Sequence, residues 1–525
     1  MRREASQQEV SSLSQSPHSS PLTPHVRFPA LDALLLLFIL TLALQTPTEP
    51  DFGWHLRTGL DLLQHGWQMP MTDPYSHTMP DWPWVEHAWL TDGVIALIHR
   101  GLGGAGLLGV ILFFAAVTVG AFAAAAGPAR ADRTSRLIAV AAALWVARPF
   151  LGARTQLVTL LGFALVLWMW HRSREGRSVW LWAVPPLFLL WGNLHGGFTA
   201  GLFALALILV VSAAARVVVV RWPEAGQRVE EPVPAWPQIG CLALAIGAAT
   251  ALTLVNPYGW RLYQEILQSL SDRVMLETLH EWQPLSLETY AGKLYAGYLV
   301  GLGAAMGMGY RRIEPIRWVL LAVFLGLSLR HWRNIPFFLI ASLPLLAELL
   351  AMIATRAMTW LPAAARHPRE WSLAAALVVA IGLSALGPEH LTRVVRSGLA
   401  SEEFFRDTSY PIEAVHWIKA NRDQVGARMF NEYGHGGFLL WWLPGERIFI
   451  DGRMPAWRID DRQIFKDYLA LTNWDPPALG VLDKYLVDWA LVTRDSALAT
   501  ALANQSHWQA VYEDRKVVVH IRRTE

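Results

Sequence analysis

LDALLLLFILTLALQTPTEPDFGWHLRTG, residues 31–59, passes without a break from an apolar run into Glu49, Asp51, His55 and Arg57. A run of Leu, Ile and Phe suited to a lipid interior that ends on four ionisable groups reads as a membrane helix opening onto a polar site. The rest of the chain supports that reading. Of its 525 residues, 53% are hydrophobic and only 16% are charged, and the mean hydropathy is +0.29. This excludes an ordinary soluble protein and predicts a polytopic membrane protein. A net charge of +2 shows no basic excess of the kind that nucleic acid requires. The 26 tryptophans suit membrane interfaces and also stacking on sugar rings. The single Cys241 lies in an apolar run, so no intrachain disulfide forms.

Apolar stretches recur near 30–46, 104–127, 137–150, 155–171, 178–194, 196–220, 237–255, 293–309, 317–329, 334–353 and 371–387, and we read them as about eleven transmembrane helices. Arginines gather in alternate connections: Arg2, Arg3 and Arg27; Arg130, Arg133 and Arg136; Arg172, Arg174 and Arg177; Arg221 and Arg228; Arg311, Arg312 and Arg317; Arg356, Arg366 and Arg369. The positive-inside rule makes those segments and the N-terminus cytoplasmic. An odd number of spans then places loops 47–87 and 256–292 and the tail 388–525 outside the cell membrane.

Residues 1–28, rich in Ser, Gln and Pro, read as a disordered cytoplasmic tail, and the first apolar run as an uncleaved anchor. Residues 29–387 form the all-α membrane domain, with 88–100 a helix lying at the outer interface. The tail 388–525 changes character. PIEAVHWIKAN and RQIFKDYLALT read as amphipathic helices; ARMFN, RIFID, DWALVT and the hairpin WQAVYEDRKVVVHIR read as strands. This predicts an extracytoplasmic α/β domain.

The outer ends of the predicted spans collect an unusual polar set: Glu49, Asp51, His55, Glu86, His87, Arg148, Arg154, Asn193, His195, Asn256, Glu281, Arg330, His331, Arg333 and Asn334. Ionisable groups at membrane depth are costly and mark function. Arg148, Arg154, Arg330 and Arg333 are suited to holding a phosphate through charge-assisted bonds, and a carboxylate beside it to activating an acceptor. The competing role for the arginines is snorkelling to the interface. For Glu49 and Asp51 it is capping the helix that follows, for Asn193 satisfying a turn, and for NPYG (256–259) being a turn. Asp451 and Arg453 in IFIDGR follow a predicted strand, either facing a ligand or forming a local Asp–Arg turn. GHGG (434–437) lacks the Lys-Ser/Thr of a phosphate loop.

EPDFGWHLRTGLDLLQHG, TDPYSHTMPDWPWVEHAWL, RPFLGARTQL, LFLLWGNLHGGF, LVNPYGWRLY, HEWQPLS, RHWRNIPFFL and FNEYGHGGFLLWWLPGERIFIDGR, taken in order, resemble a largely uncharacterised bacterial group in the C-type glycosyltransferase (GT-C) superfamily. That superfamily includes protein mannosyltransferases, aminoarabinose transferases and oligosaccharyltransferase catalytic subunits. The resemblance covers nearly the whole chain. It implies a transferase of the cell's inner (plasma) membrane that takes a sugar from a polyprenyl-phosphate carrier to a glycan, lipid or protein acceptor.

The resemblance also implies that an acid of the first outer loop is the main catalytic group. Carried over, that residue is Asp51, with Glu49 and Glu86 as companions; His55, His87, Arg148, Arg154, Asn193, His195, Glu281, Arg330 and Arg333 bind substrate. Relatives often carry Asp-x-Asp or adjacent acids where this chain has Glu-Pro-Asp, which leaves open whether Glu49 and Asp51 bind a divalent cation. Two other functions compete. A transporter or flippase of lipid-linked glycans would use the same arginines, and a non-catalytic envelope assembly subunit would present its C-terminal domain to a partner.

Overall fold

The computed structural model describes residues 29–226, 232–308, 314–360, 368–474 and 476–523. The expected disordered tail, with Arg2, Arg3 and Arg27, and the loop residues Arg228, Arg311, Arg312 and Arg366 lie outside the described residues.

Each predicted apolar stretch carries a helix. In order these are α1 (Pro29–Ala43), then, after α2 (Phe52–Gln64) and α3 (Trp89–Gly101) in the first loop, α4 (Gly106–Ala126), α5 (Arg133–Ala147) and α6 (Gln156–Arg174). The short α7 (Val179–Trp182) leads into α8 (Val184–Leu194), α9 (Phe198–Arg221), α10 (Pro223–Gly226) and α11 (Trp236–Thr253). The second loop forms α12 (Arg261–Ser271) and α13 (Arg273–Thr278), and α14 (Tyr290–Gly307), α15 (Pro315–Arg330), α16 (Ile335–Trp360) and α17 (Pro368–Leu399) complete the bundle. Among the described residues, five helical segments are long and apolar enough to cross a membrane: Gly103–Ala126, Phe198–Arg221, Trp236–Thr253, Trp332–Thr359 and Glu370–Leu399. One apolar core running from Leu31 to Ala376 ties the bundle together.

Helix α17 does not stop at the expected boundary at 387. Pro388 lies inside it, and it continues to Leu399. Beyond it the tail folds as expected in most parts. PIEAVHWIKAN supplies α19 (Ile412–Ala420), after the single-turn α18 (Ser401–Arg406), and RQIFKDYLALT supplies α21 (Ile464–Thr472). Strands β1 (Met429–Asn431), β4 (Trp489–Thr493), β5 (Trp508–Glu513) and β6 (Val517–Arg522) form one sheet in the order β1-β4-β6-β5. The β1–β4 pair is parallel and the others antiparallel, and a small separate ribbon pairs β2 (Arg458–Ile459) with β3 (Arg462–Gln463). Successive strand residues point to opposite faces. Trp489 and Leu491 therefore enter one core, and Ala490 and Val492 enter another. Helices α20 (Gly436–Trp442), α22 (Gly480–Lys484) and α23 (Ala497–Ala503) complete this part.

RIFID departs from its predicted strand. Its backbone pairs with the first loop, not with the sheet: Ile448 N donates to Tyr75 O at 3.0 Å, and His77 N donates to Ile448 O at 3.1 Å. That loop contributes Tyr75 and Trp84 to one core of the C-terminal domain and Met79 and Trp82 to the other. Helix α2 sits at the seam, with Phe52 and Leu56 in the bundle core and Trp54 in the domain core. The seam is close because its contact residues are glycines. A Cβ on Gly53 would fall 2.0 Å from Gly437 O, and one on Gly437 would fall 2.2 Å from Pro50 O.

Candidate active site

Asp51 is the N-cap residue of α2, yet its side chain makes no capping hydrogen bond. The carboxylate instead lies against the IFIDGR turn of the C-terminal domain, where a Cβ on Gly452 would meet Asp51 Oδ1 at 1.8 Å. Glu49, one residue beyond Pro50, forms an ion pair with Arg154. From the opposite loops, Arg333 pairs with Glu281 at 3.0 Å and lays its guanidinium over the Trp282 ring, 4.2 Å from the centroid. Both guanidiniums stay partly open, with side-chain exposures of 25% for Arg154 and 27% for Arg333.

Electrostatic interactions link several of these groups. Burial pushes the Glu49 carboxyl up to about 8; Arg154 opposes this, while Asp51 and Glu281 add to it. Asp51 is raised by burial first and further by Glu281 and Asp451, against the opposing effect of His55. Tyr433 of the C-terminal domain lies in the same field. Burial, together with Asp51, Glu281 and Asp451, holds its phenol well above the usual range. A carboxylate held above its ordinary pKa can take a proton from an acceptor, and the partly open guanidiniums of Arg154 and Arg333 can hold an anion.

The Arg453 side chain is only 5% exposed. It forms a fork onto Asp451, with Nε donating at 3.0 and 2.8 Å, and a third bond from Nη1 to Asp73 at 2.9 Å. Its guanidinium lies 5.1–5.8 Å from the rings of Trp54, Tyr75, Trp84 and Trp457. Burial works against its charge, but Asp451 and Asp73 outweigh that and raise its pKa. Asp73 also accepts from the backbone N–H groups of Tyr75 and Ser76. The expected Asp–Arg turn therefore exists, and it extends across the seam to lock the first loop onto the C-terminal domain.

Beneath α2 lies a second, inner set. His55 Nδ1 is 2.7 Å from Asp92 Oδ1, and His55 Nε2 is 3.1 Å from Thr155 Oγ1. Glu86 is 2% exposed and accepts from Ala88 N at 3.1 Å. It neighbours Asp92 and His87. Burial pushes both of these carboxyls well above the carboxylate range and pushes His55 and His87 down to about 3. His87 packs edge-on to His55 at 6.1 Å and to His195 at 5.1 Å between ring centroids. His195 is held by Thr159 Oγ1 and by the Gly197 N–H, both at 2.9 Å.

Three further expected site residues have surroundings of their own. Asn193 ties turns together, donating to Leu189 O and Val255 O and accepting from Trp89 Nε1. Arg148 lies over the Trp145 ring at 5.2 Å, and Arg330 is exposed at the end of α15. Asn256 caps its own NPYG turn, accepting from Tyr258 N at 2.8 Å, which is the structural role expected for it. Glu49 and Asp51 form a poor cation seat in this arrangement, because the Arg154 guanidinium already engages Glu49 and would repel a metal ion.

No known family model matches the chain, and no curated protein resembles it in sequence. Among solved structures, ArnT from Cupriavidus metallidurans bound to undecaprenyl phosphate superposes with a TM-score of 0.51 at 14% identity, over 94% of this chain and 97% of ArnT. The chain has a GT-C fold. The apo state of the same ArnT gives 0.49 at 14% identity over 94% and 96%. The Archaeoglobus fulgidus oligosaccharyltransferase tethered with an acceptor peptide containing the NVT sequon gives 0.48 at 11% identity, over 88% of this chain and 69% of that one.

The sequence left several site residues unmarked. Tyr433 and Tyr410 come from the C-terminal domain, the latter donating to Thr48 O at 3.0 Å. Asp73 and Asp92 passed as loop and interface residues. The available signal was the glycines: Gly53, Gly437 and Gly452 stand where two backbones, or a backbone and a carboxylate, must nearly touch.

Proposed function

We propose that this chain is an integral membrane glycosyltransferase that moves a sugar from a polyprenyl-phosphate carrier to an acceptor outside the membrane, with about eleven spans and a cytoplasmic N-terminus. The observation that carries this is the Asp51 carboxylate: uncapped, raised in pKa, and interacting electrostatically with Glu49 and Glu281, the carboxylates that pair with the partly open Arg154 and Arg333. The carrier phosphate exchanges with Glu49 or Glu281 as the partner of these guanidiniums, which need only one carboxylate released. Asp51 takes the acceptor proton as the acceptor oxygen bonds to the anomeric carbon; the bond from that carbon to the phosphate oxygen breaks, and the arginines hold the departing anion. Likeness to an ArnT solved with undecaprenyl phosphate supports this choice of carrier.

The test uses the purified chain in lipid vesicles with polyprenyl phosphates labelled on the sugar and on the lipid. Separation of the two labels, requiring an acceptor, is the expected result. Movement of the intact carrier between leaflets without cleavage would establish a flippase instead, and no effect on the carrier at all would favour an assembly subunit.

A further inference from the structure

Glu86 and Asp92 are 2% and 0% exposed, and no Lys or Arg side chain lies within ion-pair distance of either among the described residues. Asp92 Oδ1 faces His55, but Asp92 Oδ2 is buried and has no hydrogen-bond partner at all. Burying two carboxylates without a counter-charge is expensive. The ligand atoms of His55, Glu86 and Asp92 all lie within 4.8 Å of one another, the single such group of three metal-ligand side chains among the described residues.

From this juxtaposition we propose that His55, Glu86 and Asp92 bind a first-row divalent cation such as Zn²⁺ or Mn²⁺ close to Asp51. One imidazole and two carboxylates form a donor set that suits these ions better than Mg²⁺ or Ca²⁺, which favour oxygen alone. His55 ligates through Nδ1, the nitrogen facing Asp92; its Nε2–H then donates to Thr155 Oγ1 at 3.1 Å, the outer hydrogen bond that fixes a metal-bound histidine. The unpartnered Asp92 oxygen gains a ligand, and a water completes the coordination.

The fold brings these residues together by a close helix crossing. A Cβ on Gly59 would fall 2.0 Å from Asp92 O, so only glycine there lets α3 approach α2 closely enough to set Asp92 against His55. The ion joins α2, α3 and the loop between them four residues from Asp51, and so acts as a positioning element for the start of α2. It is distinct from the Glu49–Asp51 pair and stands whether or not the glycosyltransferase reading does.

The full-length chain, purified without added chelator, is assayed for bound metal by mass spectrometry, then stripped with EDTA and titrated with Zn²⁺, Mn²⁺ and Co²⁺. We expect about one ion per chain, a fall in Tm of several degrees on stripping with recovery on re-addition, and a visible absorption band with Co²⁺. Asp92→Asn keeps the shape and the hydrogen bond to His55, so it should fold, yet lose the ion and the Co²⁺ band. A native chain with no bound metal and no Co²⁺ band would overturn the proposal, leaving protons shared by Glu86 and Asp92 as the counter-charge. So would an Asp92→Asn variant that keeps a full complement of metal. Glycosyl transfer is not the readout, so failure here leaves the catalytic assignment standing, and loss of transfer in an Asp51 variant leaves the metal site standing.

Discussion

Arg453 and Arg333 illustrate two uses of the same side chain. Arg453 is 5% exposed, bonded to two carboxylates that are wholly buried, and surrounded by four aromatic rings. Arg333 keeps 27% of its side chain open, pairs with one carboxylate that is itself 36% exposed, and stacks on one ring. The first is enclosed and paired with two carboxylates, so its energy goes into holding two parts of the molecule together. The second needs to exchange only one partner to hold a phosphate. What separates scaffold from site here is residual exposure and incomplete pairing, not the residue type.

The largest effect should come from breaking the closed side of this comparison. Arg453→Met leaves Asp73 and Asp451 buried without their cationic partner, a change that costs about 3–5 kcal/mol. Thermal denaturation should show a large drop in Tm and limited proteolysis a loosened first loop; a loss below about 1 kcal/mol would show that the aromatic enclosure, not the charge pairing, holds the seam. Next, Gly452→Ala inserts a methyl group at the Asp51 carboxylate, and displacement of that group by about 1 Å should reduce kcat by about 10²-fold. Its Tm should change little, which separates misplacement from unfolding.

On the open side, Arg333→Gln should raise the KM for the carrier about tenfold, a loss of roughly 1.4 kcal/mol in binding. Its Tm should stay close to that of the native chain, since a partly exposed pair contributes no more than about 1 kcal/mol. Equal losses of stability in the Arg453 and Arg333 variants would erase the distinction between them. The smallest effect is in the pH profile. Asp51 must be ionised to accept a proton and its pKa is raised, so kcat/KM should climb as pH rises. Ionised Glu49 competes with the carrier phosphate for Arg154, so kcat/KM should fall again above pH about 8, where the Glu49 carboxyl sits, and Glu49→Gln should remove that falling limb.

The bundle was legible because apolar runs and the arginines between them are local signals: every predicted stretch holds a helix. PIEAVHWIKAN, RQIFKDYLALT and DWALVT were legible for the same reason, since amphipathic and alternating patterns require only neighbours along the chain. RIFID was misread because its backbone partners are Tyr75 and His77, more than 370 residues away, and an apolar run bounded by turns carries no mark of what it pairs with.

The site divides in the same way. Asp51 stood out at a helix exit, and Glu281 and Arg333 could be named from their loops. That they pair with each other, that Glu86 neighbours Asp92, and that Arg453 reaches Asp73 depend on how three separate segments meet at α2. Asn193 had the signature of a ligand-binding turn, but its amide is taken up by two carbonyls and an indole.

The most direct test of the central claim is single-turnover transfer from a labelled polyprenyl-phosphate sugar, comparing the native chain with Asp51→Asn. Transfer should fall by about 10²-fold or more while carrier binding, measured on the same preparation, is retained. Transfer at the native rate in Asp51→Asn would contradict it.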